Sequence, residues 1–534
     1  MRNKLQGNMR KERKSRAFNP PYESPNQLVL EGFESPFSKR LNPNNRWVVL
    51  AGLIPWDSIC SLYRRQHVRS GPGRKPLNPR IVIGSLIIKY MLNLDDRETV
   101  AQISENVYMQ YFLGYSGYIE EEPFDASLLV DFRKALGLDT INAINEKIVE
   151  LKTRFEKKSN CRCDTNRPES ASDHPPEDSP SVRQGQQEEV ANKGRVILDA
   201  TACPQAIAYP TDLNLLSDAR EKAEELIDRI YIGRIHGDKP RTYRRVARKD
   251  YLQTAQKKHK TRKILRKAVG KQLRYLKRDI DIIHHLLDSY ERIPFDRHQL
   301  KYFFVIQTLY DQQKEMYDHH THSIAHRIVS IHQPHVRPIV RGKDQAKVEF
   351  GSKIHLSVID GISFVDELSW EAFNEGSHMK AYMEQFRRRF GFYPREVLAD
   401  KIYCTRENRA WLKERSIHLR AKPLGRPSAV SIHVSPGERN PVEGKFGQAK
   451  TAYGLNRIRA RLKDTSESWI AGIFLVLNLV KLAGVVLPCL ILKWLRNLTA
   501  TFQESSAWLY CTGNLQWVLG NYLMSPVHIT QSTL

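Results

Sequence analysis

Two short apolar runs, far apart in the chain, constrain its fold more than any other feature. Val196-Ile197-Leu198 runs straight into Asp199-Ala200-Thr201, and Glu396-Val397-Leu398-Ala399 runs into Asp400. A short apolar run closing on an acid is the pattern of a buried strand that delivers a carboxylate at its carboxyl end. An aspartate that only terminates a strand in a turn gives the same letters. What lies around the two runs has to separate these readings.

From Val196 the pattern reads strand, helical insertion, strand hairpin, helix, strand, helix, strand, helix. The hairpin comprises residues 347–359 and 364–368, joined through Asp360-Gly361, a glycine turn. A helix follows over Met379 to Phe390, then the second run, a helix from about Thr405, and a short strand at Ile417-His418-Leu419-Arg420. With the insertion removed, this order is that of a five-stranded mixed sheet with flanking helices, the ribonuclease H-like layout. There the first and fourth strands are parallel neighbours, so Asp199 and Asp400 are expected side by side.

The insertion, residues 213–340, is helical and very basic. Lys239 to Arg278 holds 17 Lys or Arg and one acid, Asp250. Ile264, Leu265, Ala268, Leu276, Ile280, Ile283 and Leu287 form an apolar stripe, with Tyr302, Val305, Ile306 and Leu309 as its antiparallel partner. The cationic face, including Arg244, Arg245, Lys257 and Lys258, suits DNA; a solvated face is the bland alternative. His319, His320, His322 and His326 lack a Cys or acid at structural-zinc spacing.

Upstream, residues 47–155 read as several helices. Asn78-Pro79 supplies a cap and a first-turn proline, and Asp95-Asp96-Arg97-Glu98 resembles a capping box before Val100, Ile103, Val107 and Tyr111. Asp125 can cap a third helix through Phe132, ended by Gly137, and a fourth starts near Thr140. Such a group of helices fits a helix-turn-helix-like DNA reader or a plain bundle for protein contacts. Residues 1–16 carry seven Lys or Arg against one acid, the composition of a flexible arm that touches nucleic acid. Residues 156–194 have almost nothing to bury and read as a disordered linker.

Over the whole chain, 84 Lys plus Arg face 59 Asp plus Glu, a formal charge of +25. That excess favours a polyanionic partner, nucleic acid first and an anionic membrane surface second. Seven cysteines, from Cys60 to Cys511, make no disulfide framework. The first thirty residues hold no apolar signal core, which points to the cytoplasm. The apolar run from Trp469 to Leu495 is interrupted by Asn478, Lys481, Pro488 and Lys493, so it reads as a buried helix, not a membrane span.

The last helix carries the remaining chemistry. Over residues 439–450, steps of four and seven place Arg439, Glu443 and Lys450 on one face, with Val442, Phe446 and Ala449 on the other. Continuing that period adds Gly447, Gly454, Arg457 and Arg461 to the polar face. A solvated basic helix with one ion pair accounts for this stretch alone equally well. Beside two strand-end aspartates, Glu443 gains partners: three carboxylates at one point need cations between them, and oxygen-only ligands select magnesium or manganese.

These residues together resemble the DDE transposases of bacterial insertion sequences, in particular the group around insertion sequences four and five. That group places Arg four residues before the catalytic Glu and Lys seven after it, as Arg439, Glu443 and Lys450 stand. Asp199-Ala200-Thr201, continued by Tyr209-Pro210-Thr211-Asp212-Leu213, resembles the first aspartate motif, and Leu398 to Tyr403 the second. Gly73-Arg74-Lys75-Pro76 and its helical surroundings resemble the N-terminal DNA-binding domain. One position departs: the group's Tyr three residues before the Arg is Pro436 here.

The resemblance implies an α/β chain, a ribonuclease H-like mixed five-stranded sheet interrupted by a long helical insertion and preceded by an all-α N-terminal domain. Its expected segments are a basic flexible arm (1–44), a helical DNA-binding domain (45–155), the linker (156–194), the catalytic domain (195–212 with 341–499), the basic insertion (213–340) and a tail with no assigned role (500–534). It implies cleavage at terminal inverted repeats and strand transfer by Asp199, Asp400 and Glu443 through two Mg2+ ions, with Mn2+ as substitute. Arg439, Lys450, Arg457, Arg461, Arg244, Arg245, Lys257, Lys258, Arg74 and Lys75 would contact double-stranded DNA, the element's ends and its target. A homo-oligomer would pair the ends, with no membrane involved. A catalytically decayed DNA-binding protein and a metal nuclease without strand transfer are the alternatives. Glu349, Asp360, Asp366 and Asp212 are rival acids with turn, edge-strand or capping roles.

Overall fold

A computed structural model describes residues 19–20, 22, 41–66, 77–147, 150, 191–340, 348–421 and 436–483. Arg74 and Lys75, most of the arm and linker, and the tail lie outside these residues. Backbone contacts divide the chain into two units, residues 1–149 with 178–479 and residues 150–177 with 480–534. The contacts below lie in the first.

The N-terminal part is a set of short helices: α1 (Arg46–Leu53), α2 (Trp56–Gln66), α3 (Pro79–Leu92), α4 (Asp96–Glu105), α5 (Val107–Leu113), α6 (Leu128–Ala135) and α7 (residues 138–147). Asn78 caps α3 through the Arg80 amide with Pro79 in the first turn, and Asp95 caps α4 through the Glu98 amide. The helix expected to run on from Val100 to Tyr111 breaks instead at Asn106. Its side chain accepts from the amides of Tyr108 and Met109 and starts α5, a local bond that competes with helix continuation. Asp125 does not cap α6; it accepts from the Ser127 amide and hydroxyl one turn earlier.

Strand β1 (Arg195–Pro204) leads into the insertion: α8 (Asp212–Ile230), α9 (Arg244–Ala255), α10 (Arg262–Leu287) and α11 (Arg297–Asp318). Where the sequence suggests a hairpin, three long helices share one core. Leu216, Ala223 and Ile227 of α8 meet Leu276 and Ile283 of α10 and Ile306 and Leu309 of α11. Thr211, Thr261 and Asp296 cap the three, the last in a full capping box with Gln299.

The chain returns to the sheet through β2 (Arg337–Val340), β3 (Val348–Ile359) and β4 (Ile362–Ser369). Asp360 and Gly361 both have positive φ, 49° and 80°, the tight hairpin turn in which an Asp-Gly pair is favoured. Then come α12 (Met379–Phe390), β5 (Glu396–Leu398), α13 (Arg406–Glu414), β6 (His418–Arg420) and α14 (Pro436–Thr451), with α15 (Lys463–Ala483) last.

The sheet order is β2-β3-β1-β5-β6, with β4 also on β3. β2 pairs the first residues of β3 and β4 the rest, so both share one edge of that long strand. β1 is antiparallel to β3 and parallel to β5, and β5 is parallel to β6. This is the ribonuclease H-like mixed sheet with flanking helices, plus β2, a four-residue strand that the sequence pattern did not suggest.

Apolar residues on one face of β1 and β5, among them Val196, Leu198 and Val397, pack under Met383 and Phe386 of α12 and Leu412 of α13. α14 lies against β1 and β3. α15 is long and apolar enough to cross a membrane, yet 78% of that window is buried inside the protein. Trp469 meets Tyr90 of α3 edge-on at 5.6 Å, and a Cβ on Gly472 would fall 2.4 Å from the Tyr90 ring. Asn478 exchanges bonds with the Ser363 amide and carbonyl of β4. The helix therefore joins the N-terminal helices to the sheet.

Candidate active site at the end of the parallel strands

The β1–β5 register fixes where the two aspartates stand. Ile197 pairs with Leu398 as the last partners of that parallel ladder, whose strands lie ~4.8 Å apart, so Asp199 and Asp400, each two residues further on, leave it side by side. Contrary to the simplest sequence expectation, β1 does not end at Asp199. It continues to Pro204 on β3, with Asp199 opposite Leu356. What ends is its pairing with β5, and that leaves the carboxylate an open flank. A register shift in the β3–β4 ladder falls between His355 and Leu356, the partners of Ala200 and Asp199. Such irregularities re-aim side chains beside sites.

Asp400 opens a short 3-10 turn, Lys401–Tyr403, and its carboxylate accepts from the Lys401 amide at 2.7 Å. That turn is clamped from below. Buried Asn408 donates to the Tyr403 carbonyl at 3.0 Å and to the Gly376 carbonyl at 2.6 Å. Gly376 itself approaches so closely that a Cβ would lie 2.4 Å from the Ile402 carbonyl.

Arg439 of α14 completes the arrangement. Its Nη2 lies 3.2 Å from Asp199 Oδ2 and its Nη1 3.4 Å from Asp400 Oδ1. One guanidinium thus bridges both strand-end carboxylates. Val442, Phe446 and Ala449, all buried, seat α14, as its periodicity suggests. Its first turn is pinned by Glu438, which meets Arg420 of β6 at 2.9 Å and Arg195 of β1 at 3.2 Å. Burial raises the Asp199 pKa from its ordinary value; the Ala200 amide and Arg439 oppose the shift, while Asp400 and Glu375 add to it.

Glu443 stands one helical turn beyond Arg439 and is exposed, hence on the same face. No group of three or more His, Cys, Asp or Glu placed to hold a metal occurs among the described residues; the guanidinium occupies the space between the two aspartates. The donor set is all oxygen, and the pair already accommodates one cation. This chemistry fits a hard divalent ion.

The other candidates are spread more widely. Lys450 is half-buried near the end of α14. The expected continuation of its face fails, because the helix stops at Thr451 and Gly454 takes a left-handed φ of 74°. Arg457 and Arg461 are exposed on the irregular segment beyond, where Ile458 bridges to Gln205. Lys257 and Lys258 are exposed between α9 and α10, and Arg245 is exposed on α9. Arg244, also exposed, is engaged by a two-pronged pair with Asp228, 2.9 Å on each arm.

Rival acids have other work. Asp366 is buried between His355 and Arg389, and Asp212 accepts from Arg327 and Gln313. Sequence reasoning missed Glu438, Asn408 and Glu375. Glu375 pairs with Lys353 at 2.6 Å and still weighs on Asp199. Nothing in their local sequence marks them, because their roles arise only from the packing of distant turns.

The mixed α/β sheet, with Asp199 and Asp400 just beyond the β1–β5 ladder and Arg439 of α14 across them, is that of a ribonuclease H-like core. Residues 397–480 match the family model described as Transposase DDE domain, and residues 35–135 match Transposase domain (DUF772). The uncharacterized protein ORF8 in nfe locus of Rhizobium meliloti is 30% identical over 180 residues, which span 33% of this chain and 69% of that protein. The chain belongs to the family of this rhizobial protein, and the two domains matched within it are transposase domains. No solved structure matches it.

Proposed function

We propose that the protein is a transposase of an insertion sequence, cutting DNA at the element's terminal inverted repeats and joining the freed 3′-hydroxyls to target DNA. The observation that carries this reading is the pair Asp199 and Asp400 bridged by Arg439, within a chain matched by a DDE transposase domain. The likeness to the group around insertion sequences four and five rests on the spacing of Arg439, Glu443 and Lys450.

In this reading Asp199, Asp400 and Glu443 hold divalent metal, magnesium with manganese as substitute. Bound there, the metal would activate a water or 3′-hydroxyl and stabilise the leaving oxygen of an in-line displacement. Arg439 and Lys450 serve the scissile strand: a guanidinium suits phosphate oxygens as well as it suits carboxylates. Asn408 and Gly376 keep the Asp400 turn in place, and Glu438 fixes the angle at which α14 presents Arg439 and Glu443. The basic insertion, with Arg245, Lys257 and Lys258 at its surface, grips the duplex outside the site, and two copies would hold the two ends.

The test is cleavage and joining of DNA carrying the element's own ends. Asp199→Asn, Asp400→Asn and Glu443→Gln are each expected to abolish magnesium-dependent cleavage while end binding, read by gel shift, survives. Normal cleavage by any one removes that residue from the site. Cut products without joined ones would make the protein a nuclease.

A further inference from the structure

Tyr243 stands at the head of α9 with a left-handed backbone, φ 55°, a conformation that a bulky residue keeps only when its surroundings impose it. The residue is 47% exposed, and its ring lies under the Arg278 guanidinium of α10, 4.5 Å from the ring centre. On one side, the stretch Lys239 to Val246 lines a basin of about 410 Å³. On the other, a cleft of about 770 Å³ opens between α10 and α11, with Arg274, Tyr310 and Tyr317 in its walls. Pro240 lines both hollows.

The cations here are not equivalent. Lys239 and Arg244 are neutralised by Asp228, and Lys277 by Asp281. Arg241, Arg245 and Arg274 are exposed and make no ion pair among the described residues. Free guanidiniums along a groove suit a phosphate backbone, and an exposed ring clamped in one orientation suits the face of a base. A duplex keeps its base faces inward and would use the cations alone.

We propose that these neighbouring clefts bind an unpaired stretch of DNA strand, one base stacking on Tyr243 and the phosphates meeting Arg241, Arg245 and Arg274. The proposal rests on the reading of the protein as one that processes DNA, and is independent of its catalytic acids.

The experiment titrates the full chain with labelled oligo(dT) of about 20 nucleotides, longer than the ~4–16 that one binding module covers, and separately with a blunt duplex, both by fluorescence anisotropy. Tyr243→Gly is the informative variant, because glycine accepts the positive φ without strain and the ring is lost while the fold is kept. Oligo(dT) binding should weaken roughly tenfold, the size expected for one lost stack, with duplex binding changed less than about twofold and Tyr243→Phe like wild type. Equal losses on both DNAs, or no loss on oligo(dT), would overturn the proposal. Asp199→Asn should bind oligo(dT) at wild-type strength, so failure of the catalytic reading and failure of this one show in different measurements.

Discussion

Arg439 and Arg220 each gather carboxylates, the first at the open end of the sheet and the second inside the helical insertion. Arg220, with its side chain 1% exposed, pairs with Glu224 and, at 3.2 Å, with the more exposed Glu221 on its own helix, and Asp279 of α10 lies close by. Asp279 is fully buried, and neither of its oxygens has a hydrogen-bond partner among the described residues. Burial pushes its carboxyl up to about 8 and raises Glu224 as well. At the sheet end Asp199 is 23% and Asp400 55% exposed, so water, ions and phosphates can reach them. The same residue types thus form a buried packing element in one place and a solvent-accessible cluster in the other. Access to solvent decides which.

The largest effect that would break this comparison is at Arg220. Arg220→Met leaves Glu224 beside Asp279 with only the longer 3.9 Å contact to Arg244 and should cost about 3–5 kcal/mol in urea unfolding, the usual scale for one removed partner of a buried pair. Arg439→Ala should cost about 1 kcal/mol or less, since its acids are partly solvated, yet should cripple DNA cleavage. If the order of the two stability losses were reversed, the sheet-end arginine would be the structural one.

Next comes pH. An aspartate whose folded pKa is about 8 keeps a proton that the unfolded chain releases near its ordinary value, so this group's share of stability falls as pH rises from about 4 to 8. The slope approaches ~1.4 kcal/mol per pH unit and flattens above 8. Asp279→Asn should remove that slope, its advantage over wild type growing across the window and holding constant beyond it. Chemical denaturation at a series of pH values reads this directly, and parallel curves would refute the buried-acid account.

A smaller effect of the same sign is expected at the site. Because the Asp199 pKa is raised by burial, Asp199→Asn should raise the melting temperature by about 2 °C near neutral pH without metal, while abolishing cleavage. A drop in melting temperature would mean that the Arg439 pair outweighs the burial cost.

The smallest contrast lies on one helix. Arg245→Ala should leave stability unchanged and lower the salt slope of duplex binding by roughly one. Arg244→Ala should instead lose up to about 1 kcal/mol of stability, because its guanidinium is occupied by Asp228. Equal salt slopes for the two would remove the distinction between them.

Much of this fold was legible in the letters. Caps at Asn78, Asp95 and Thr405, the Asp360-Gly361 turn and the α12 boundaries at Met379 and Phe390 all follow from local chemistry. Val442, Phe446 and Ala449 were assigned to the buried face of α14 by period alone. The misses have physical reasons too. Asn106 breaks a periodic run by a side-chain bond, and four-residue β2 is too short to show a period. The end of α14 depends on a left-handed glycine, Gly454, whose own Cβ would fall 2.6 Å from Asn93 Oδ1.

By itself the sequence determined the kinds of element, the two strands that run into acids, and the helix face carrying Arg439 and Glu443. These depend on residues within a few positions of one another, where capping, turn chemistry and side-chain period act. Only the tertiary structure decided that Ile197 pairs with Leu398, so that Asp199 and Asp400 come side by side, and that Arg439 spans them. The same holds for Arg244, engaged by Asp228, and for Tyr243, held under Arg278. Those contacts join residues from 16 to 240 positions apart, and no local rule ranks one such partner above another until the chain has packed.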